Sequence, residues 1–271
     1  MEPFIKPSPP ASLMLPLRAP SVWAALGLIA AYFFLQIATG AIAALVVTVN
    51  LLLKDAPHSA ASTATQVQAT LQQPAVSAAV VLLTLIVAAP LTLLYARRSW
   101  PALWSHASPP GFGFATLPRW RYFALAVVLG IAAPVLGGWL TELLAGGQTI
   151  TQDVQQLGIR TPLMLRIPLA LIVISLGPLV EELLFRGVLL SALIQRWGIG
   201  WAILSSSLIF ALVHLQGLGF LWYAVPDLAL LAAGLAWLRL RSNSIWPSVL
   251  AHAVNNLLAV LAWFIAVKSF G

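Results

Sequence analysis

Glu181, Glu182 and Arg186 fall within six residues of one another inside the apolar run 174-ISLGPLVEELLFRGVLL-190. An ionisable side chain at the centre of a membrane helix costs at least ~2.5–3.5 kcal/mol on insertion scales, so each needs a partner, a wet cavity or a chemical task. Glu182 and Arg186 are four apart with the acid N-terminal to the base, the spacing that puts an ion pair on one helical face. Glu181 is rotated ~100° from Glu182 by the 3.6-residue repeat and cannot share Arg186 equally. The bland alternative is a Glu–Arg pair and a snorkelling acid at a helix terminus. Against it stand the apolar Val188, Leu189 and Leu190 beyond the arginine, and Gly177-Pro178 upstream, which predicts a bend or a freed carbonyl.

Two later apolar runs carry more polarity. In 200-GWAILSSSLIFALVHLQGLGF-220, His214 follows Phe210 by four residues; in 245-IWPSVLAHAVNNLLAVLAWFIAVK-268, His252 is followed by Asn255 and Asn256 at i+3 and i+4. Taken singly, His214 is an interfacial residue and the His–Asn set is interhelical hydrogen-bonding glue. Taken together, Glu, His, His and Asn on three runs can converge only in a bundle interior, because lipid would not solvate them. A carboxylate can act as general base towards a water, a histidine can orient that water or pass protons, and a second histidine with an amide can hydrogen-bond a developing oxyanion. Those are the parts amide hydrolysis needs. No run carries His-Glu-x-x-His. Glu181, His214 and His252 could still supply a two-histidine, one-carboxylate set for Zn2+, so no cofactor is certain and both readings stand.

The elements that must position these residues follow from composition. Of 271 residues, 61% are hydrophobic and 8% charged, with a mean hydropathy of +0.95, too little polar surface to cover a soluble globule. The expected fold is an all-α, polytopic transmembrane bundle with the active site inside it. Runs long enough to cross ~30 Å of hydrocarbon at ~1.5 Å per residue fall at roughly 21–53, 75–96, 121–146, 162–190, 199–216, 217–240 and 245–268. That predicts about seven spans, or eight if the first or fourth run breaks. Zero cysteines exclude disulfides, thiolate-held metals and a thiol nucleophile.

The net charge of +7 comes from basic residues standing singly or in pairs beside apolar runs, which reads as topology rather than nucleic-acid binding. Alternation of the spans puts Lys6, Arg18, Arg97, Arg98, Arg119, Arg121, Arg186, Arg196, Arg239 and Arg241 on one side, against Lys54, Arg160, Arg166 and Lys268 on the other. The first side is then cytoplasmic, with the N-terminus in and the first span uncleaved. Trp100, Trp104, Phe112, Phe114 and Trp120 stud the loop after the second span, which suits a segment lying on the headgroups or, as the simpler reading, an aromatic belt anchor. Asp227, after Pro226, is either a loop residue or a cavity-lining one.

These residues resemble the three signature motifs of the CAAX protease and bacteriocin-processing family of intramembrane endopeptidases, also called the Abi or CAAX prenyl endopeptidase family. Glu181, Glu182 and Arg186 match its Glu-Glu-x-x-x-Arg, Phe210 and His214 its Phe-x-x-x-His, and His252 and Asn256 its His-x-x-x-Asn. The likeness covers roughly residues 160–260. It implies that Glu181 activates water with His214, that His252 and Asn256 stabilise the oxyanion, and that Glu182 and Arg186 support them, with Asn255 as a neighbouring group outside the motif. Such proteins are described both as metalloproteases and as metal-independent glutamate proteases.

The expected organisation is a cytoplasmic segment 1–20, variable transmembrane helices 21–160 and a catalytic core 161–268. The leading function is an endopeptidase for membrane-associated or lipidated peptides, in the plasma membrane of a prokaryote, with lipid as its surroundings. Two other classes fit the same residues: a non-proteolytic scaffold or immunity protein, and a small proton-coupled transporter using Glu181, Asp227 and both histidines.

Overall fold

The computed structural model describes residues 17–54, 60–115, 117–147 and 153–265. Lys6, Lys268 and most of segment 1–20 lie outside the described residues. The chain runs α1 (Val22–Lys54), α2 (Ala60–Leu71), α3 (Pro74–Ser99), α4 (Pro101–Ser105), α5 (Trp120–Ala145), α6 (Asp153–Arg160), α7 (Leu163–Ile174) and α8 (Leu176–Glu182). A π-helical segment (Leu183–Leu189), α9 (Leu190–His214), two short 3-10 turns, α10 (Val225–Ser242) and α11 (Trp246–Ile265) complete it. The protein is a polytopic helical bundle, and no strand occurs among the described residues.

Six helical stretches are long and apolar enough to cross a membrane, rather than the seven or eight expected. The first run does not break: α1 is continuous over 33 residues. The runs at 162–190 and 199–216 join into one helical stretch, Leu163–Leu218, of 56 residues. At ~1.5 Å per residue that is far longer than one bilayer crossing. It folds back on itself at Gly198, whose φ of 78° and ψ of 173° belong to a region open essentially only to glycine. Phe185 packs edge-on against Phe210 at 5.0 Å, and Glu181 meets His214, so the two arms are antiparallel about Gly198.

A second break lies at Ser175 (φ −125°, ψ −74°), between α7 and α8. Pro178 has no N–H to bond the carbonyl four residues back, which accounts for it. The π-helical segment then follows the two glutamates directly and is buried throughout, with the Leu190 N–H donating to the Phe185 carbonyl five residues earlier. Neither that segment nor the depth of its burial follows from hydropathy. The main core is built around it, from Val180 to Leu193, with α1, α3 and α10 as walls.

Small residues set the helix spacing, as is usual where lipid supplies no hydrophobic drive. The buried face of α5 is Ala126, Gly130, Gly137, Thr141 and Ala145. A side chain at Gly130 would run into the Ala251 carbonyl and Val254 of α11, and one at Gly137 into Asp227 of α10. Asp227 therefore sits in the first turn of α10, packed on α5, and not in a loop.

The aromatic loop between α3 and α5 is held against the bundle. Phe112 is fully buried and packs behind Gly187 of the π-helical segment. Trp104 and Phe114 stack at 4.0 Å, and the Trp246 indole N–H donates to the Phe114 carbonyl at 2.8 Å. Arg239 Nη2 donates to the Gly111 carbonyl and the Ile245 N–H to the Gly113 carbonyl, so the loop is strapped to the α10–α11 turn. Only Trp120 of the five aromatics stands well exposed.

Three arginines counted as topology signals are interior. Arg186 and Arg239 are buried, as is Arg166, which donates to the carbonyls of Ile159, Thr161 and Trp263 and so ties α6, α7 and α11 together. With those three removed, eight cations still face three, and the bias keeps its sign.

Candidate active site

The hairpin at Gly198 carries two of the motifs on facing arms. Glu181 Oε2 lies 3.4 Å from His214 Nε2 and 3.7 Å from His252 Nε2. Glu182 Oε1 accepts from Arg186 Nη1 and from His252 Nδ1, each at 2.9 Å. His252, from α11, thus bridges the two adjacent glutamates, and the third motif reaches the first two. Glu182 and Arg186 pair as their spacing requires, while Glu181 faces the histidines, as its rotation requires.

Exposure separates two layers. The side chains of Glu182, Arg186 and His252 are 0%, 1% and 6% exposed, whereas Glu181 and His214 keep 21% and 33%. The inner three are sealed in the bundle; the outer two keep part of their surface open. Phe210 sits between them all: its ring is 4.5 Å from the Arg186 guanidinium carbon, 4.4 Å from the His214 ring and 5.8 Å from the His252 ring. Its carbonyl also takes His214 Nδ1 at 2.7 Å. The phenylalanine four residues before the histidine is therefore a packing hub and a stop for the imidazole.

These contacts fix protons. A carbonyl only accepts, so His214 Nδ1 carries the hydrogen and, in the neutral ring, Nε2 is left as an acceptor aimed at Glu181. His252 Nδ1 donates to Glu182 by the same reasoning. Glu181 Oε2 has no hydrogen-bond donor among the protein groups.

Asn256 is placed differently from the histidines. Its Nδ2 donates to the Val173 carbonyl at 3.0 Å, just before the helix break at Ser175, and its Oδ1 accepts from Asn255 Nδ2 at 3.3 Å. One amide hydrogen of Asn256 remains for other use. Asp227 joins none of this: among the described residues the ion pairs link Glu181, Glu182, Arg186, His214 and His252. His252 stands six residues, roughly 9 Å, inside the start of α11, so the cluster lies within the half of the bundle next to the α10–α11 turn.

Glu181, His214 and His252 are the right donor types for zinc. Among the described residues, however, no group of three such side chains is gathered closely enough to hold an ion, and no step is derived through one. Sequence reasoning missed the Val173 and Ala232 carbonyls that hold Asn256 and Arg186, and it missed Phe112 behind Gly187. Backbone acceptors have no side-chain signature; Gly177-Pro178 was the one hint.

Residues 163–258 match the family model described as Type II CAAX prenyl endopeptidase Rce1-like, and all three motifs fall inside that stretch. The "Putative membrane peptidase YdiL" of Bacillus subtilis (strain 168) is 31% identical over 105 residues, covering 38% of this chain and 41% of that protein. The match thus spans about two fifths of the relative's length. No solved structure matches the chain.

Proposed function

We propose that this protein is an intramembrane endopeptidase of the CAAX prenyl protease-like kind, cleaving membrane-associated or lipidated peptides. The observation that carries the reading is the meeting of Glu181 Oε2 with the Nε2 atoms of His214 and His252, backed by a second, sealed carboxylate. A scaffold has no need of a carboxylate lacking a donor beside a pre-oriented imidazole; a general base does.

In this mechanism Glu181 takes one proton from a water whose other hydrogen is held by His214 Nε2. The water oxygen bonds to the scissile carbonyl carbon, and the carbonyl electron pair moves to oxygen. His252 and the spare amide hydrogen of Asn256 stabilise that oxyanion. As the C–N bond breaks, Glu181 returns its proton to the leaving amine, which frees a carboxylic acid and an amine and regenerates the base. Glu182 and Arg186 touch no substrate and hold His252 in place; Phe210 sets the height of His214, and Asn255 steadies Asn256.

The catalytic core is residues 161–268, with 21–160 as the variable wall. The position of the cluster beside the arginine-rich end favours cleavage near the cytoplasmic face, with the N-terminus inside and the protein in a prokaryotic plasma membrane. The test is cleavage by purified, detergent-solubilised protein of a panel containing a farnesylated C-terminal peptide and an unlipidated transmembrane peptide. Glu181→Ala and His214→Ala should each abolish cleavage with unfolding temperature intact. Full activity in either would sink the assignment.

A further inference from the structure

We propose that the groove between α1 and α3 is a binding site for one phospholipid with an anionic headgroup, its acyl chain lying along α1 and its phosphate held by Arg97 and Arg98. The groove is a cavity of about 610 Å³, with the small residues Gly27 and Ala31 of α1 on one wall and Leu91 of α3 on the other. A side chain built at Gly27 would meet nothing within 4 Å, so the missing side chain is what leaves the space. The lining runs from Ala24 to Leu35, twelve residues or roughly 16 Å along α1, close to the ~15 Å of hydrocarbon in one leaflet.

Chemistry changes at one end. Arg98 lines both this apolar groove and a neighbouring polar cavity of about 530 Å³, which Arg97, Trp104 and Ser105 also line. Tyr95 and Trp100, edge-on at 6.2 Å, stand at the junction, as amphipathic rings do at headgroup depth. Among the described residues neither guanidinium has a carboxylate partner, and Arg97 instead lies over the Trp104 ring at 5.9 Å. Two adjacent guanidiniums at the mouth of an apolar trough complement a phosphodiester that bears an acyl tail: forked N–H groups match its oxygens, and the net positive charge selects an anionic over a zwitterionic headgroup. The site is separate from the glutamate–histidine cluster and does not depend on what that cluster cleaves.

Delipidated protein in detergent, with thermal unfolding followed as lipid is added, tests this. Phosphatidylglycerol at about 100 times its half-saturating concentration should raise Tm by roughly 5 °C. Phosphatidylcholine should raise it by clearly less, and glycerol 1-phosphate or inorganic phosphate should not raise it at all. Arg97→Gln with Arg98→Gln, both exposed positions, should bring phosphatidylglycerol down to the phosphatidylcholine level. Gly27→Leu, or Leu91→Trp from the opposite wall, should abolish the shift from both lipids while keeping the arginines. Equal shifts from the two lipids, a preference that survives loss of both arginines, an undiminished shift with the groove filled, or a glycerol 1-phosphate shift equal to the lipid's would each overturn the proposal.

Discussion

Glu182→Gln keeps the shape of the inner anchor and removes its charge. In the native protein Oε1 takes two hydrogen bonds, from Arg186 and His252, at 2.9 Å each with the carboxylate fully enclosed. Hydrogen bonds to charged groups contribute ~1.5–3 kcal/mol apiece, and breaking a buried ion pair costs ~3–5 kcal/mol because the surviving charge is stranded. The amide oxygen still accepts from Arg186, so the low end, about 3 kcal/mol, is expected, read as the loss of unfolding temperature in detergent. Activity should suffer more. Loss of the carboxylate that fixes a catalytic imidazole costs ~10⁴ in kcat in serine proteases, and a fall of roughly 10²–10⁴ is expected here. A paired substitution, Glu182→Met with Arg186→Met, removes both charges and should recover most of the stability, since buried ion pairs are often replaceable by apolar groups. It should recover none of the activity, because His252 Nδ1 is still unheld. A Glu182→Gln enzyme within ~3-fold of wild-type kcat/KM, or an active double variant, would refute the positioning role.

Gly198→Ala meets no neighbour within 4 Å, so it isolates backbone strain at the hairpin and should destabilise by ~1–3 kcal/mol in equilibrium unfolding; equal stability would contradict the observed φ and ψ. Phe112→Ala opens a hole behind Gly187 and should cost ~3–5 kcal/mol, with a lower kcat as the π-helical segment loosens, measured by unfolding and cleavage together. Because every proposed step is carried by side chains, cleavage should persist at full rate after exhaustive chelation. Loss of activity that is restored by zinc would replace the water-activation scheme with a metal one.

What the sequence made legible was whatever hydropathy and spacing encode. The bundle, the face shared by Glu182 and Arg186, and the rotation of Glu181 away from it all follow from periods and transfer energies. The antiparallel meeting of Glu181 with His214 could have been read from Gly198 midway between them, but a lone glycine among apolar residues has many uses. The π-helical segment could not be read, because it arises from packing around Phe112 and Phe210 rather than from any residue's preference. Arg166 and Arg239 were counted only as topology signals because composition does not record that backbone carbonyls await them inside, whereas the carboxylate that meets Arg186 was readable from its four-residue spacing. The strapping of the loop aromatics was hidden for the same reason: a loosely held tryptophan and a strapped-down one look alike in a string of letters.

The hairpin has a consequence for the order in which the protein is made. Glu181 and His214 are thirty-three residues apart on neighbouring arms, close enough in the chain to meet as soon as both have left the ribosome. His252 and Asn256 belong to α11, which follows both arms in the chain, and chains assemble from the N-terminus as they are synthesised. On the proposed roles, a nascent chain brings its base and orienting imidazole together before the groups for the oxyanion arrive. Cleavage would then wait for α11 to insert, which spares the neighbours of a half-made chain.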